Sequence, residues 1–244
     1  MGYFTVEVKP TIAASKQALG AFTAKDVLFD WTSFQVPRGA KKLVDVTLLV
    51  RGTDGTYQEK DTVLYFAKTS NEGHLQPRSI GTIHATADGG AYFNDVIGAV
   101  QIMATDFKEG LDHLAVATLG HGAASNHSPN LVLNGEKDIS NSGNDRLYVA
   151  ATCGTYNFAS TVQVSTQTDT GSKAVVVKTT SALITLAAGD VLHDEDDQLI
   201  GTIKEVTDAT NIVLEENAAS VSAVNKDLYN LSPVKLILSF DDGK

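Results

Sequence analysis

The stretch Val234-Lys235-Leu236-Ile237-Leu238-Ser239-Phe240 decides the fold. In an extended chain successive side chains point to opposite faces, so Val234, Leu236, Leu238 and Phe240 share one apolar face. A face that apolar needs a large sheet and a core to cover it. The spacing therefore predicts a core strand that returns to the sheet of a domain begun at the other end of the sequence.

Working outward, β-branched and aromatic residues collect in short runs bounded by Gly, Asp, Asn and Ser, as expected of strands and turns. Leu43 to Arg51 places Val44, Val46, Leu48 and Val50 on one face. Tyr57 to Lys68 continues through Thr62-Val63-Leu64-Tyr65-Phe66-Ala67 after an Asp54-Gly55 turn, which predicts an early strand pair. Leu131-Val132-Leu133 runs into Asn134-Gly135, a pair suited to a tight hairpin, and Leu147 to Thr152 reads as the next strand. Tyr92 to Phe107 fits both a helical stripe (Tyr92, Val96, Val100, Ala104) and alternation (Val96, Gly98, Val100, Ile102); we expect strand.

From about Phe158 the composition shifts to Ser, Thr and Val, and Arg, Trp and Phe disappear until Phe240. Residues 159–229 hold four Lys against eleven Asp and Glu, a net −7 out of −10 for the chain. Within them strands are predicted at Ala174 to Lys178, Leu183 to Leu186, Val191 to His193, Leu199 to Val206 and Asn211 to Leu214, a set that suits a small barrel. The expected fold class is all-β: an antiparallel, jelly-roll-like β-sandwich of residues 1–158 plus 230–244, with an acidic small β-barrel module, 159–229, inserted between two of its strands. A plain tandem of two domains is the alternative.

The 244 residues suffice for one large sandwich or two smaller domains. Apolar residues at 43% and charged residues at 20% are ordinary globular usage, against disorder or a coiled-coil rod. A net charge of −10 argues against a nucleic-acid partner, because phosphate contacts need clustered Lys and Arg. Cys153 is the one cysteine, so no intrachain disulfide forms; its apolar surroundings, Val149-Ala150-Ala151-Thr152, read as buried strand. Met1-Gly2-Tyr3-Phe4-Thr5-Val6 has neither a secretory nor a myristoylation pattern, and no run approaches the roughly 20 apolar residues of a membrane helix, so neither export nor a membrane is expected.

Phosphate loops, dinucleotide fingerprints, nucleophile elbows and His-Glu-x-x-His pairs are absent from the sequence. The loop Gly120-His121-Gly122-Ala123-Ala124-Ser125-Asn126-His127-Ser128 gathers two His and two Ser, but no local carboxylate orients a base, so it reads as a polar loop. His121 and His127, with His84 or His113, match no standard zinc spacing. Asp194-Glu195-Asp196-Asp197 lacks the Gly and distal Glu of a calcium loop and reads as a solvated hairpin tip. Trp31, two residues after Phe29, reads as core packing ahead of a sugar-stacking platform. No catalytic, cofactor or metal residue is nominated, and no enzyme is expected.

Several phrases carry a resemblance. Lys25-Asp26-Val27-Leu28-Phe29-Asp30-Trp31, Leu48-Leu49-Val50-Arg51-Gly52-Thr53-Asp54-Gly55, Leu64-Tyr65-Phe66-Ala67-Lys68 and Ala115-Val116-Ala117-Thr118-Leu119-Gly120-His121-Gly122 resemble virion structural proteins of marine tailed phages such as cyanophages. Ala188-Gly189-Asp190-Val191-Leu192, Leu199-Ile200-Gly201-Thr202-Ile203, and Asn211-Ile212-Val213-Leu214 with Asn217-Ala218 are similar to small β-barrel modules of phage particle proteins. The resemblance implies a virion location after assembly in the host cytoplasm, and a capsid decoration or cement role. The major capsid protein would be the partner and a homo-oligomer, such as a trimer, the working form. A tail, neck or baseplate component and a host-surface or glycan-binding adhesin are the alternatives.

Overall fold

The structure is a computed structural model that describes residues 2–52, 58–69, 94–108, 113–120, 128–140, 143–178 and 185–242. Among them 53% lie in strands and 4% in helix. In chain order the strands are β1 (Tyr3–Val8), β2 (Asp26–Pro37), β3 (Lys41–Arg51), β4 (Thr62–Ala67), β5 (Val96–Ile102), β6 (Phe107–Lys108), β7 (Leu114–Leu119), β8 (Leu131–Leu133), β9 (Glu136–Lys137), β10 (Asn144–Cys153), β11 (Val164–Thr166), β12 (Ala174–Val177), β13 (Val191–Asp194), β14 (Leu199–Val206), β15 (Asn211–Leu214), β16 (Leu228–Asn230) and β17 (Val234–Asp241). A four-residue helix, α1 (Ala14–Gln17), follows β1.

Two antiparallel sheets form the sandwich. One runs β1-β17-β3-β7-β6, with β8 also on β3; the other runs β2-β10-β4-β5, with β9 also on β10. β17 is central to the first, with Leu238 paired to Val6 of β1 on one side and Val46 of β3 on the other. Val234, Leu236, Leu238 and Phe240 are fully buried, while Lys235, Ile237, Ser239 and Asp241 alternate with them at partial exposure. Across the core Phe34 of the second sheet meets the ring of Phe240 at 6.3 Å; within its own sheet it meets Phe66 edge-on at 6.4 Å, and Phe4 stacks on Phe240 at 5.3 Å.

Several local expectations change. Val44 does not share the buried face of Val46, Leu48 and Val50: a bulge opposite Ser239 and Phe240 slips the register, and Leu43 takes the inward place. β3 and β4 are not a pair. They lie in opposite sheets, each covering the common core with its own apolar face; Asp54-Gly55 falls outside the described residues. Asn134-Gly135 is no hairpin either, because β8 pairs with β3 and β9 with β10. Gly135 serves close approach: any side chain there would run into the Arg146 backbone carbonyl. Val96 to Ile102 is strand, as alternation predicts, while Tyr92 lies outside the described residues.

A third sheet, β11-β12-β15-β14-β13-β16, is built wholly from residues between β10 and β17. Its ends meet. Gln163 bridges Asp227, the Val164 N–H donates to the Lys226 carbonyl at 2.9 Å, and the Leu228 N–H donates to the Val162 carbonyl at 2.9 Å. The curled sheet encloses its own core of Val162, Val164, Val175, Leu192, Ile203 and Ile212 among others, separate from the sandwich core. β11 and β16 were not foreseen in the sequence. Leu183 lies outside the described residues, and Thr185-Leu186 forms no strand.

The segment leaving the sandwich is anchored by aromatics. Tyr156 stacks on Phe158 at 5.6 Å, and Phe158 meets Phe22 at 5.9 Å. The Tyr156 hydroxyl donates to the Lys60 carbonyl at 2.9 Å, and burial pushes its pKa up.

Two outcomes test this architecture. Leu238→Asp puts an unpaired carboxylate in the core at a cost of several kcal/mol, against a whole-domain stability of about 5–15 kcal/mol, so the sandwich is expected to lose its cooperative thermal melt. A variant melting like the parent would remove β17 from the core. Replacing residues 159–229 by a short Gly-Ser linker is expected to leave a soluble, cooperatively melting sandwich, because the strands entering and leaving the third sheet are hydrogen-bonded neighbours. Aggregation of that deletion, alongside a folded truncation that stops before Phe158, would favour tandem domains.

Candidate functional site

The described residues with most chemistry lie where the third sheet meets the sandwich. Arg51 ends β3, and its Nη1 donates to the Thr185 carbonyl at 2.9 Å and to the Asp190 carboxylate. Asp190 is held by a tight turn: Gly189 has φ +87°, open to glycine at no steric cost, and the Ala187 N–H donates to Asp190 Oδ2 at 2.7 Å. Both charged side chains are mostly covered, so each is the other's compensation for lost hydration.

A second tie comes from the segment around α1. The buried Gln17 amide donates to the Ile12 carbonyl at 2.8 Å and to the Asn230 carbonyl at 2.9 Å, and the Ile12 N–H donates to the Leu231 carbonyl at 2.7 Å. The Ser15 N–H adds a bond to Asp197 Oδ1 at 3.0 Å. Beside these ties lies a cleft of about 340 Å³, lined by Lys9, Leu49, Arg51, Asp190, Pro233 and Lys235. On the neighbouring sheet surface Glu7 meets Lys9 at 3.0 Å and Lys235 at 3.6 Å; the Lys9 hydrogen bond, with both positive charges, holds the Glu7 carboxyl below its usual range.

The acidic run is more than a solvated tip. Asp194 is only 3% exposed, and its carboxylate accepts the N–H groups of Asp196 and Gln198 and the Ser222 hydroxyl, at 3.0–3.1 Å. Glu195 and Asp196 clasp the Lys226 ammonium at 2.7 and 2.8 Å, and their bonds, that of Asp196 foremost, raise its pKa. The first carboxylate therefore organises the turn, and the next two neutralise a lysine that precedes β16. The sequence shows the cluster of acids but not Ser222 and Lys226, which arrive from distant positions.

Asp138 organises another loop. It accepts the Ser140 hydroxyl at 2.7 Å, the Ser140 N–H at 2.9 Å, Arg146 Nη2 at 2.8 Å and the Gln35 amide. The Ser140 hydroxyl foremost, helped by the Ser140 N–H and Arg146, lowers its pKa from 3.8 to about 2.

The other sequence-selected residues do not converge. His84, His121, Ser125 and His127 lie outside the described residues. Ser128 donates its hydroxyl to the Val44 carbonyl at 2.7 Å, a structural bond. His113 is a left-handed residue, φ 64°, whose carbonyl accepts the Gly52 N–H. Trp31 packs with Val27, Ala150 and Val96 in a small apolar cluster apart from the main core. Cys153 is buried at the end of β10. Among the described residues no three His, Cys, Asp or Glu side chains gather as metal ligands, and no helix is long and apolar enough to cross a membrane. No protein-family model matches the sequence, and no curated protein matches it either.

The geometry separates the four acids of the run. Asp194→Ala strands the buried Ser222 hydroxyl and removes the acceptor of two N–H groups in the turn, and is expected to destabilise the third sheet by about 1–3 kcal/mol. Asp196→Ala, at an exposed position, is expected to cost no more than about 0.5 kcal/mol. Chemical denaturation of the two variants gives the order; equal losses would return the run to the status of an ordinary turn.

Proposed function

We propose that the protein is a structural component of a tailed-phage virion, a capsid decoration or cement protein that binds the major capsid protein lattice and stabilises the head. The observation that carries this reading is the fixing of two β cores to one another through the Arg51, Gln17 and Ser15 ties, with apolar side chains exposed on both. Leu19 and Val132 stand out from the sandwich, and Leu199 and Val221 from the curled sheet. A stiff body with contact points on two cores suits the bridging of adjacent lattice subunits. Covering such side chains contributes roughly 25 cal/mol per Å² of apolar area, and repetition over a lattice turns weak contacts into firm attachment.

The resemblance of the sequence phrases to marine phage virion proteins supports the same reading. Its test is a density map of whole particles, with copy number by quantitative mass spectrometry. The expected result is density on the head at a copy number tied to that of the capsid subunits. Density confined to tail, neck or baseplate, at a few copies per particle, would replace the decoration role with a tail role. Absence from particles, together with retention on a polysaccharide array, would replace it with glycan binding.

A further inference from the structure

β1 ends the first sheet, and among the described residues β17 is its sole strand partner. That pairing is regular, from Tyr3 against Asp241 to Val8 against Leu236, with no bulge. The Asp242 N–H donates to the Gly2 carbonyl at 3.0 Å, which makes Gly2 and Asp242 a hydrogen-bonded pair. Such pairs alternate along an antiparallel ladder, so the main-chain groups of Phe4, Val6 and Val8 turn toward β17 and those of Thr5 and Glu7 toward the open side. Thr5 and Glu7 are both exposed.

Natural sheets guard an edge of this kind with short length, bulges, prolines or lysines set within the strand. The other edges of the sandwich follow that rule. β6 is two residues long, the pairing of β5 slips between Phe66 and Ala67, and that of β2 slips twice along β10. The curled sheet joins its own ends. β1 instead presents six regular residues rich in strand formers, and Lys9-Pro10 comes only after the last of them. Its inward face is also unfinished: Phe4 and Val6 pack against the sandwich core yet stay partly exposed, whereas Val8 is buried.

We propose that β1 is a self-pairing edge, at which two copies join antiparallel about a two-fold axis through Thr5 and continue the first sheet from one sandwich into the other. The occupant follows from the order of residues in the strand. With Thr5 opposite Thr5 of the second copy, Phe4 lies opposite Val6 and Tyr3 opposite Glu7, so inward side chains meet inward ones and outward meet outward. Threonine against threonine and aromatic against β-branched are favourable cross-strand pairs, and the second kind covers the apolar area that each edge leaves in water. Charge selects the same register. The chain carries −10, but Glu7 is the one acid of β1, and Lys9 and Lys235 meet it at 3.0 and 3.6 Å. Centring on Thr5 keeps the two Glu7 carboxylates about 13 Å apart along the strands, whereas centring on Val6 or Glu7 sets them diagonal to or directly opposite each other. The association concerns the free protein and stands apart from the virion role.

Sedimentation equilibrium of the full chain up to about 100 µM tests it. The expected result is a monomer–dimer equilibrium whose Kd rises at least roughly tenfold in Thr5→Lys, because two ammonium groups then face each other across the axis. Thr5→Pro is expected to abolish the dimer, since it removes an N–H that points to the open edge and costs the monomer no ladder bond. Crosslinking with a short bis-maleimide reads the register, Cys153 being buried. Thr5→Cys is expected to give a crosslinked dimer and Lys9→Cys none, because the two copies of position 9 lie roughly 27 Å apart in this pairing. A parent that stays monomeric throughout the range, or that forms a trimer, overturns the proposal. So does a dimer whose Kd Thr5→Lys leaves within about twofold, or one that Lys9→Cys crosslinks as readily as Thr5→Cys.

Discussion

The sandwich depends on one pairing: β17 between β1 and β3, with Val234, Leu236, Leu238 and Phe240 closing the core from the middle of a sheet. A central strand has both rows of backbone groups bonded and its inner face covered, so its removal would open two edges and a cavity together. Phe240 is also the point where the sheets lock, since Phe4 stacks on it from its own sheet and Phe34 reaches it from the other. Everything between β10 and β17 must therefore leave the sandwich and come back to the same place. The curled sheet meets this condition by pairing its entering and leaving strands through Gln163 and Asp227.

Return to a fixed place does not by itself make a stiff body. That follows from polar contacts that are costly to break because their partners are covered. Arg51 and Asp190 have given up most of their hydration to one another, and the Gln17 amide spans carbonyls on both sides of the junction. The acidic run joins in through Asp197, which receives the Ser15 N–H, while Asp194 fixes the turn that presents it. Residues that read as a solvated hairpin tip thus help set how the two cores face each other.

The parts of this arrangement that were legible in the sequence are those set by period-two alternation over long runs. β17 is of this kind, as is most of β3, and with the turn-bounded runs rich in β-branched residues they suffice to give an all-β sandwich with a barrel-like module. Partnership was not legible. β3 and β4 each show a clean apolar face, and alternation cannot tell two strands of one sheet from two strands facing each other across a core. β11 and β16, three residues each, are too short to show a period. The loop centred on Asp138 leaves no local signal, because its organisation rests on Gln35, over a hundred positions away, and on Arg146.

The position of β17 also bears on synthesis. As the chain leaves the ribosome, β1 and β3 are complete long before their shared partner exists, since all of residues 159–229 must be translated first. The strands of the curled sheet pair largely with near neighbours in sequence, β13 with β14 and β14 with β15, so loop closure there is rapid. The sandwich waits meanwhile with two strand edges open, the state in which nascent chains are most exposed to pairing with the wrong partner. Maturation of the larger core is thus timed by translation of the smaller one, and the interval lengthens with every residue the module carries.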